Sequence, residues 1–321
     1  MKQQTLEAQN EKTIDPKKIP QDWFKPLDKS ATEQEEVVRP SLSYWNDAWR
    51  RLRKNKMAMS GLVFLILLTL MAIFGPYLTN YDVNTQQLAN QNQAPSKEHW
   101  FGTDNLGRDV FTRTWYGARI SLFVGFMAAL IDCVVGIIYG GISGYKGGRT
   151  DNIMMRFVEV LYGLPYLLVV ILLLVVLGPS LFTIILALSI TGWVGMARIV
   201  RGQVLQIKNY EFVHASQSFG AKTGRIIRRN LIPNTMGPII VQMTLTVPSA
   251  IFAEAFLSFL GLGIQSPHAS WGVMANDSLS TILSGHWWRL FFPAFFISAT
   301  MFAFNVLGDG LRDALDPRLR R

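Results

Sequence analysis

Three carboxylates stand in or beside long apolar runs: Asp132, Glu159 and Glu254. A charge at membrane depth costs at least ~2.5 kcal/mol, so such a group faces protein or a wet cavity rather than lipid. For Asp132 and Glu254 two readings are open. Each lines a transport pathway, or each has a structural partner such as Arg198 or a backbone group. Glu159 lies near the end of its run and reads as interfacial.

Other candidate chemistry can be set aside by spacing. GYKGGRT (Gly144–Thr150) and GAKT (Gly220–Thr223) superficially suggest phosphate loops. Neither has the G-x-x-x-x-G-K-[ST] spacing that wraps backbone N–H groups around a phosphate, and neither follows a strand. If ATP drives this protein, another chain binds it. In HWFGTDNLGRD (His99–Asp109), Asp104, Asn105 and Asp109 lack the alternating acids and closing Glu of a calcium loop. A glycine-rich turn with Asp–Arg pairs is expected instead. The four histidines are scattered, without metal-ligand spacing. The lone Cys133 excludes an intrachain disulfide and a cysteine metal cluster. No Ser/His/Asp or Cys/His arrangement stands out. The expectation is no catalytic residue, no metal and no bound cofactor on this chain.

The elements that position these residues are helices in a membrane. Half of the 321 residues are hydrophobic, and they are clumped. Six segments are long and apolar enough to span: Met57–Leu78, Ile120–Ile142, Phe157–Leu177, Leu181–Val200, Ile239–Leu262 and Leu290–Leu307. Each matches a hydrocarbon core of ~30 Å at about 1.5 Å per residue. The first begins too late for a signal peptide, so the first span is expected to act as an uncleaved signal. The reading is an all-α membrane protein with six transmembrane helices. Residues 1–40 are polar and charged and read as a disordered cytoplasmic tail. Tyr44, Trp45, Ala48, Trp49 and Leu52 then share one helical face, followed by Arg50, Arg51, Arg53, Lys54 and Lys56. That pattern fits an interfacial helix against lipid, or a helix docked on its own protein.

Orientation follows from the bases. Lys146, Arg149 and Arg156 lie between spans two and three. Arg201, Lys208, Lys222, Arg225, Arg228 and Arg229 lie between spans four and five, and Arg312, Arg318, Arg320 and Arg321 follow span six. The short turn at Gly178–Ser180 carries no charge. Both termini are therefore expected inside, N-in and C-in. Retention of Lys and Arg on that side also accounts for the net charge of +9, and no basic patch carries a nucleic-acid motif. Gly136, Gly140 and Gly144 recur every four residues, a small-residue face for close helix packing within the chain or against a partner.

Between spans four and five lies a polar, basic, helix-prone loop, YEFVHASQSFGAKTGRIIRRNLIPN (Tyr210–Asn234). It looks built to be gripped by another protein. It resembles the "EAA" loop of ATP-binding-cassette importer permeases in its helical run around Glu211 and Ala215, its turn at Gly220 and Ala221, and its Pro233. His214 stands where the family's loop usually has Glu, and Ser216 replaces the second alanine.

HWFGTDNLGRDVFTRTWYGARISL (His99–Leu122), AEAFLSFLGLGIQSPHASWG (Ala253–Gly272) and LGDGLRDALDPRLR (Leu307–Arg320) are similar to the C-type permease subunit of oligopeptide and dipeptide importers. The resemblance covers about residues 40–321. It implies a type I importer fold over 119–308, preceded by 41–118 (interfacial helix, first span and extracytoplasmic loop) and followed by a cytoplasmic tail, 309–321. It further implies a prokaryotic plasma membrane, a B-type permease partner, two cytoplasmic ATPases that bind ATP and Mg, and an extracytoplasmic peptide-binding protein. Nickel and glutathione importers share the motifs. A proton-coupled secondary peptide transporter, using Asp132 or Glu254, and a membrane scaffold are the alternatives from other classes.

Overall fold

A computed structural model describes residues 44–264, 268–281 and 283–316. The proposed tail 1–40 and Arg318, Arg320 and Arg321 lie outside these. The described residues form helices α1 (Tyr44–Lys54), α2 (Lys56–Phe74), α3 (Val110–Lys146), α4 (Gly148–Gly163), α5 (Tyr166–Leu177), α6 (Leu181–Ile207), α7 (Glu211–Ser218), α8 (Thr223–Ile226), α9 (Ile232–Phe259), α10 (Trp271–Ser278) and α11 (Trp288–Leu315). Five helical stretches are long and apolar enough to cross a membrane, and α4 with α5 forms a sixth as a bent pair.

α1 docks on its own protein along one face. Ala48 and Leu52 are buried, and the Tyr44 hydroxyl donates to the Leu315 carbonyl at 3.2 Å, docking α1 on α11. Trp45 and Trp49 face outward, with Arg53 stacked over the Trp49 ring. Asn55 ends the segment by capping α2, its side chain accepting from Ala58 N–H at 3.1 Å.

The glycine face of α3 packs on α6, inside the chain. A Cβ on Gly136 would meet Met196, one on Gly140 would meet the Ala197 carbonyl, and one on Gly144 would meet Arg201 and Val204. Rising numbers on α3 meet rising numbers on α6, so these helices run parallel. Gly125 lies against Val247 and Ile251, and Gly141 against Ile227 and Ile232, so α9 runs antiparallel to α3. α11 returns along α9 (Gly308 at Leu245, Gly237 near Leu315), and α2 runs against α11 (Gly61 at Ala303, Gly310 at Ala58).

This order puts the starts of α2, α4 and α9 and the ends of α3, α6 and α11 at one end of the bundle. The bases Lys146, Arg149, Arg228, Arg229 and Arg312 gather there, which marks that end as cytoplasmic. Two parallel helices in sequence need a return crossing between them, and α4–α5 makes it.

That crossing is not the continuous span expected over Phe157–Leu177. α4 and α5 meet at 82°, with Leu164 extended at φ −74°, ψ 131°. Pro165 is the reason: it lacks an N–H and pushes the residue before it out of the helical region. At the inner end a buried carboxylate ties the crossing down. Asp151 accepts from Arg201 Nε and Nη2, both at 2.6 Å, and from the Ser143 hydroxyl, joining α4, α6 and α3.

At about 1.5 Å per residue, the 37 residues of α3 extend ~55 Å, well beyond the hydrocarbon core. Its outer turns are wrapped by the preceding loop. Asp109 caps α3 by accepting from Thr112 N–H at 2.8 Å and is held by His99 Nδ1 at 2.8 Å. Asp104 pairs with Arg108 at 2.6 Å, as the glycine-rich turn was expected to do.

The folding path gives a topology test. In a Cys133→Ser background, Ser180→Cys should react with an impermeant maleimide only from outside, and Ser218→Cys only from inside. Labelling of Ser180→Cys from inside would mean that α4–α5 does not cross.

Candidate functional site

The loop between α6 and α9 is built on a helix-ending device. α7 stops in a Schellman motif: Ala221 N–H donates to Ser216 O at 3.0 Å, and Gly220 N–H donates to Gln217 O at 2.8 Å. The motif needs a left-handed residue, and Gly220 sits at φ +74° with open space around it. Val213, Ile226 and Leu231 anchor the loop in an apolar cluster with Val200, Val204 and Ile239 of α6 and α9. Asn230 donates to the Ser216 hydroxyl at 2.6 Å, and Gln217 donates to the Tyr145 hydroxyl at 3.1 Å. The opposite face is open: Glu211, Phe212, His214 and Ala215 are exposed, and Phe219 is 90% exposed at the tip. His214 does not bridge to an acid; its Nδ1 lies 3.2 Å from Gln217 Oε1.

From Thr223 the chain climbs without a break through α8, a π turn (Ile227–Leu231) and α9, a helix of 37 residues to Phe259. Pro233 occupies the first turn of α9, and the wider π turn before it absorbs the hydrogen bond that proline cannot donate. The upper half of this same helix forms a cavity wall.

The cavity holds about 380 Å³ and lies among α3, α5, α6 and α9. Asp132 and Ala128 come from α3, Tyr166 from α5, Thr191 and Gly192 from α6, and Gln242, Thr246, Ser249 and Ala253 from α9. Asp132 is 4% exposed, and its Oδ1 and the Tyr166 hydroxyl have no hydrogen-bond partner among the described residues. Arg198, one of the partners the sequence offered, instead stacks over the Tyr162 ring at 4.4 Å. Glu159 is exposed and lies 3.2 Å from Arg156, outside the cavity.

Glu254, the second candidate pathway acid, does not line this cavity. It is fully buried at the outer end of α9, accepting from Ser121 at 3.0 Å, from Ser258 at 2.8 Å and from Ser270. Ser270 also caps α10, and Ser121 accepts from Trp271 N–H. The carboxylate therefore pins α3, α9 and α10 together. Only Ser258, four residues on, is local in the sequence; the other two serines come from 133 residues before and 16 after. Glu254→Ala orphans these hydroxyls and opens a void, so it should cost about 2–5 kcal/mol. The check is a lowered unfolding midpoint of the detergent-solubilised protein, with Glu254→Gln close to wild type. An Ala variant as stable as wild type would contradict the cage.

Tyr166, Gly192, Asp151 and the three serines carried no sequence signal of their own. The turn before Tyr166 was visible as Leu164–Pro165, but it lay inside an apolar run.

Comparison with known proteins agrees with this architecture. Residues 136–321 match the family described as binding-protein-dependent transport system inner membrane component. Residues 43–95 match the N-terminal TM domain of oligopeptide transport permease C. The dipeptide transport system permease protein DppC of Bacillus subtilis (strain 168) is 74% identical over 303 residues, which are 94% of this chain and 95% of that protein. The oligopeptide transport system permease protein OppC of the same organism is 59% identical, over 94% and 99%. The glutathione transport system permease protein GsiD of Escherichia coli O6:K15:H31 is 41% identical, over 86% and 91%. The MetNI methionine ABC transporter, in inward-facing conformations, shares the fold at a TM-score of 0.50 and 17% identity, over 62% of this chain and 94% of that one. On the family match and these identities, the chain belongs to the binding-protein-dependent transport system inner membrane components.

Proposed function

We propose that this permease forms half of the membrane pathway of an ATP-driven importer of dipeptides or oligopeptides in the prokaryotic plasma membrane. A B-type permease supplies the other half. Two cytoplasmic ATPases bind ATP and Mg, and an extracytoplasmic binding protein delivers the peptide. The names of the two Bacillus relatives support the substrate class.

One observation carries the mechanism. The Gly220 turn leads directly into one continuous helix, Thr223–Phe259, whose upper half is the cavity wall. α7 and the exposed Phe219 seat in an ATPase cleft, as an aromatic surface left in water favours a partner. When ATP closes the ATPase dimer, the turn moves, and α9 carries that displacement to Gln242, Thr246 and Ser249. The two permease cavities then exchange access between the outer and inner faces. Substrate flux needs no chemistry on this chain.

The test is uptake of dialanine into proteoliposomes holding both permeases and both ATPases, with loaded binding protein outside. Wild type should import only with ATP inside. Gly220→Val should insert and assemble but lose most uptake, because a β-branched residue strains the positive φ of the Schellman turn. Uptake driven by a proton gradient without ATP would overturn the importer reading. Normal uptake by Gly220→Val would remove the turn from it.

A further inference from the structure

Asp132 is an acid held ready for a ligand. It is 4% exposed and takes part in no ion pair or hydrogen bond among the described residues, with its Oδ1 buried and unpartnered. A structural carboxylate at this depth would be satisfied, as Glu254 is by its serines. The wall behind it explains its aim. Gly192 lies directly against the Asp132 carboxylate, where a Cβ would collide with both carboxylate oxygens. Glycine there lets the carboxylate lie flat against α6 at the edge of the cavity. The Tyr166 hydroxyl, also buried and unpartnered among the described residues, arrives on the far side of the Pro165 break.

Resting on the importer reading, we propose that Asp132, Tyr166 and the polar residues around them form a subsite for the primary ammonium group at the amino end of the passing peptide. The donor set fits that cation. One carboxylate gives a single negative charge, and Tyr166, Thr191, Gln242 and Thr246 offer neutral oxygens. An ammonium has three N–H donors and one charge, and needs acceptors of that kind. A divalent metal would draw on several carboxylates, and Asp132 is the only acid in the wall among the described residues. The cavity volume of about 380 Å³ accommodates a short peptide end. A single carboxylate backed by glycine binds the ammonium without enclosing it, so the peptide can leave inward.

Carbodiimide labelling tests this without the binding protein. The complete transporter in nanodiscs is treated with dicyclohexylcarbodiimide, and modification at residue 132 is read by mass spectrometry at fixed salt. Dialanine amide should lower that modification several-fold. N-acetyl-dialanine amide, which has the same side chains and no ammonium, should leave it unchanged. Gly192→Ala, which displaces the carboxylate without removing it, should be labelled but lose the protection. Equal protection by both peptides, protection by neither, or an unlabelled Asp132 in the wild type overturns the subsite. ATP-driven dialanine uptake is measured on the same transporter in vesicles, with loaded binding protein outside. Its absence would sink the importer reading, whereas uptake with indifferent labelling would sink the subsite alone.

Discussion

The close, parallel contact of α3 and α6 is the constraint on which the rest of the fold depends. Gly136, Gly140 and Gly144 remove every Cβ from one face of α3, so Met196, Ala197, Arg201 and Val204 of α6 settle against backbone. In lipid there is no water to expel between helices, so this approach is stabilised by packing at short range. Once the two helices are parallel, the chain between them must cross back, and α4–α5 is the only segment available. The Asp151–Arg201–Ser143 junction then locks the inner end of that crossing. Its bend at Pro165 brings Tyr166 into the wall of the central cavity.

The two ends of α9 divide the labour. Its outer end is fixed by the Glu254 cage and by Asn276, which donates to the Ser258 and Phe259 carbonyls that end the helix. Its inner end follows the Gly220 turn through α8 and the π turn, and is held by the Val213–Ile226–Leu231 cluster. A displacement entering at Gly220 therefore meets a stiff inner segment and an anchored outer one. The segment between carries Pro238 and Pro248, each of which removes one N–H from the helix, and its residues Gln242, Thr246 and Ser249 face the cavity.

Much of this was legible in the residues. Apolar run length gave the number of crossings, the bases gave the orientation, and four-residue glycine spacing gave the packing face. Gly220 marked a helix end because few residues besides glycine tolerate its backbone. The failures at the acids share one cause, since they depend on partners distant in the chain. Asp132 and Glu254 are alike in sequence, each a lone acid in an apolar run. Glu254 becomes structural because Ser121 and Ser270 fold onto it, while Asp132 lies against Gly192 at the cavity edge with no hydrogen-bond partner for its Oδ1 among the described residues. Asp151 and Arg201 are 50 residues apart, so their pairing follows from the α3–α6 register and from no local pattern. The third span looked continuous because Pro165 is embedded among leucines and valines, and hydropathy does not register a missing N–H.

The central claim is that the docking turn and the cavity wall move as one body. Pulsed electron spin resonance on the assembled transporter measures it directly, with labels at Ser218 and Thr246 in one sample and at Leu188 and Thr246 in another. Between the ATP-free and vanadate-trapped states, the Ser218–Thr246 distance should stay constant while the Leu188–Thr246 distance across the cavity changes. A shift in the first distance with none in the second would place a hinge between Ser218 and Thr246 and contradict transmission through α9.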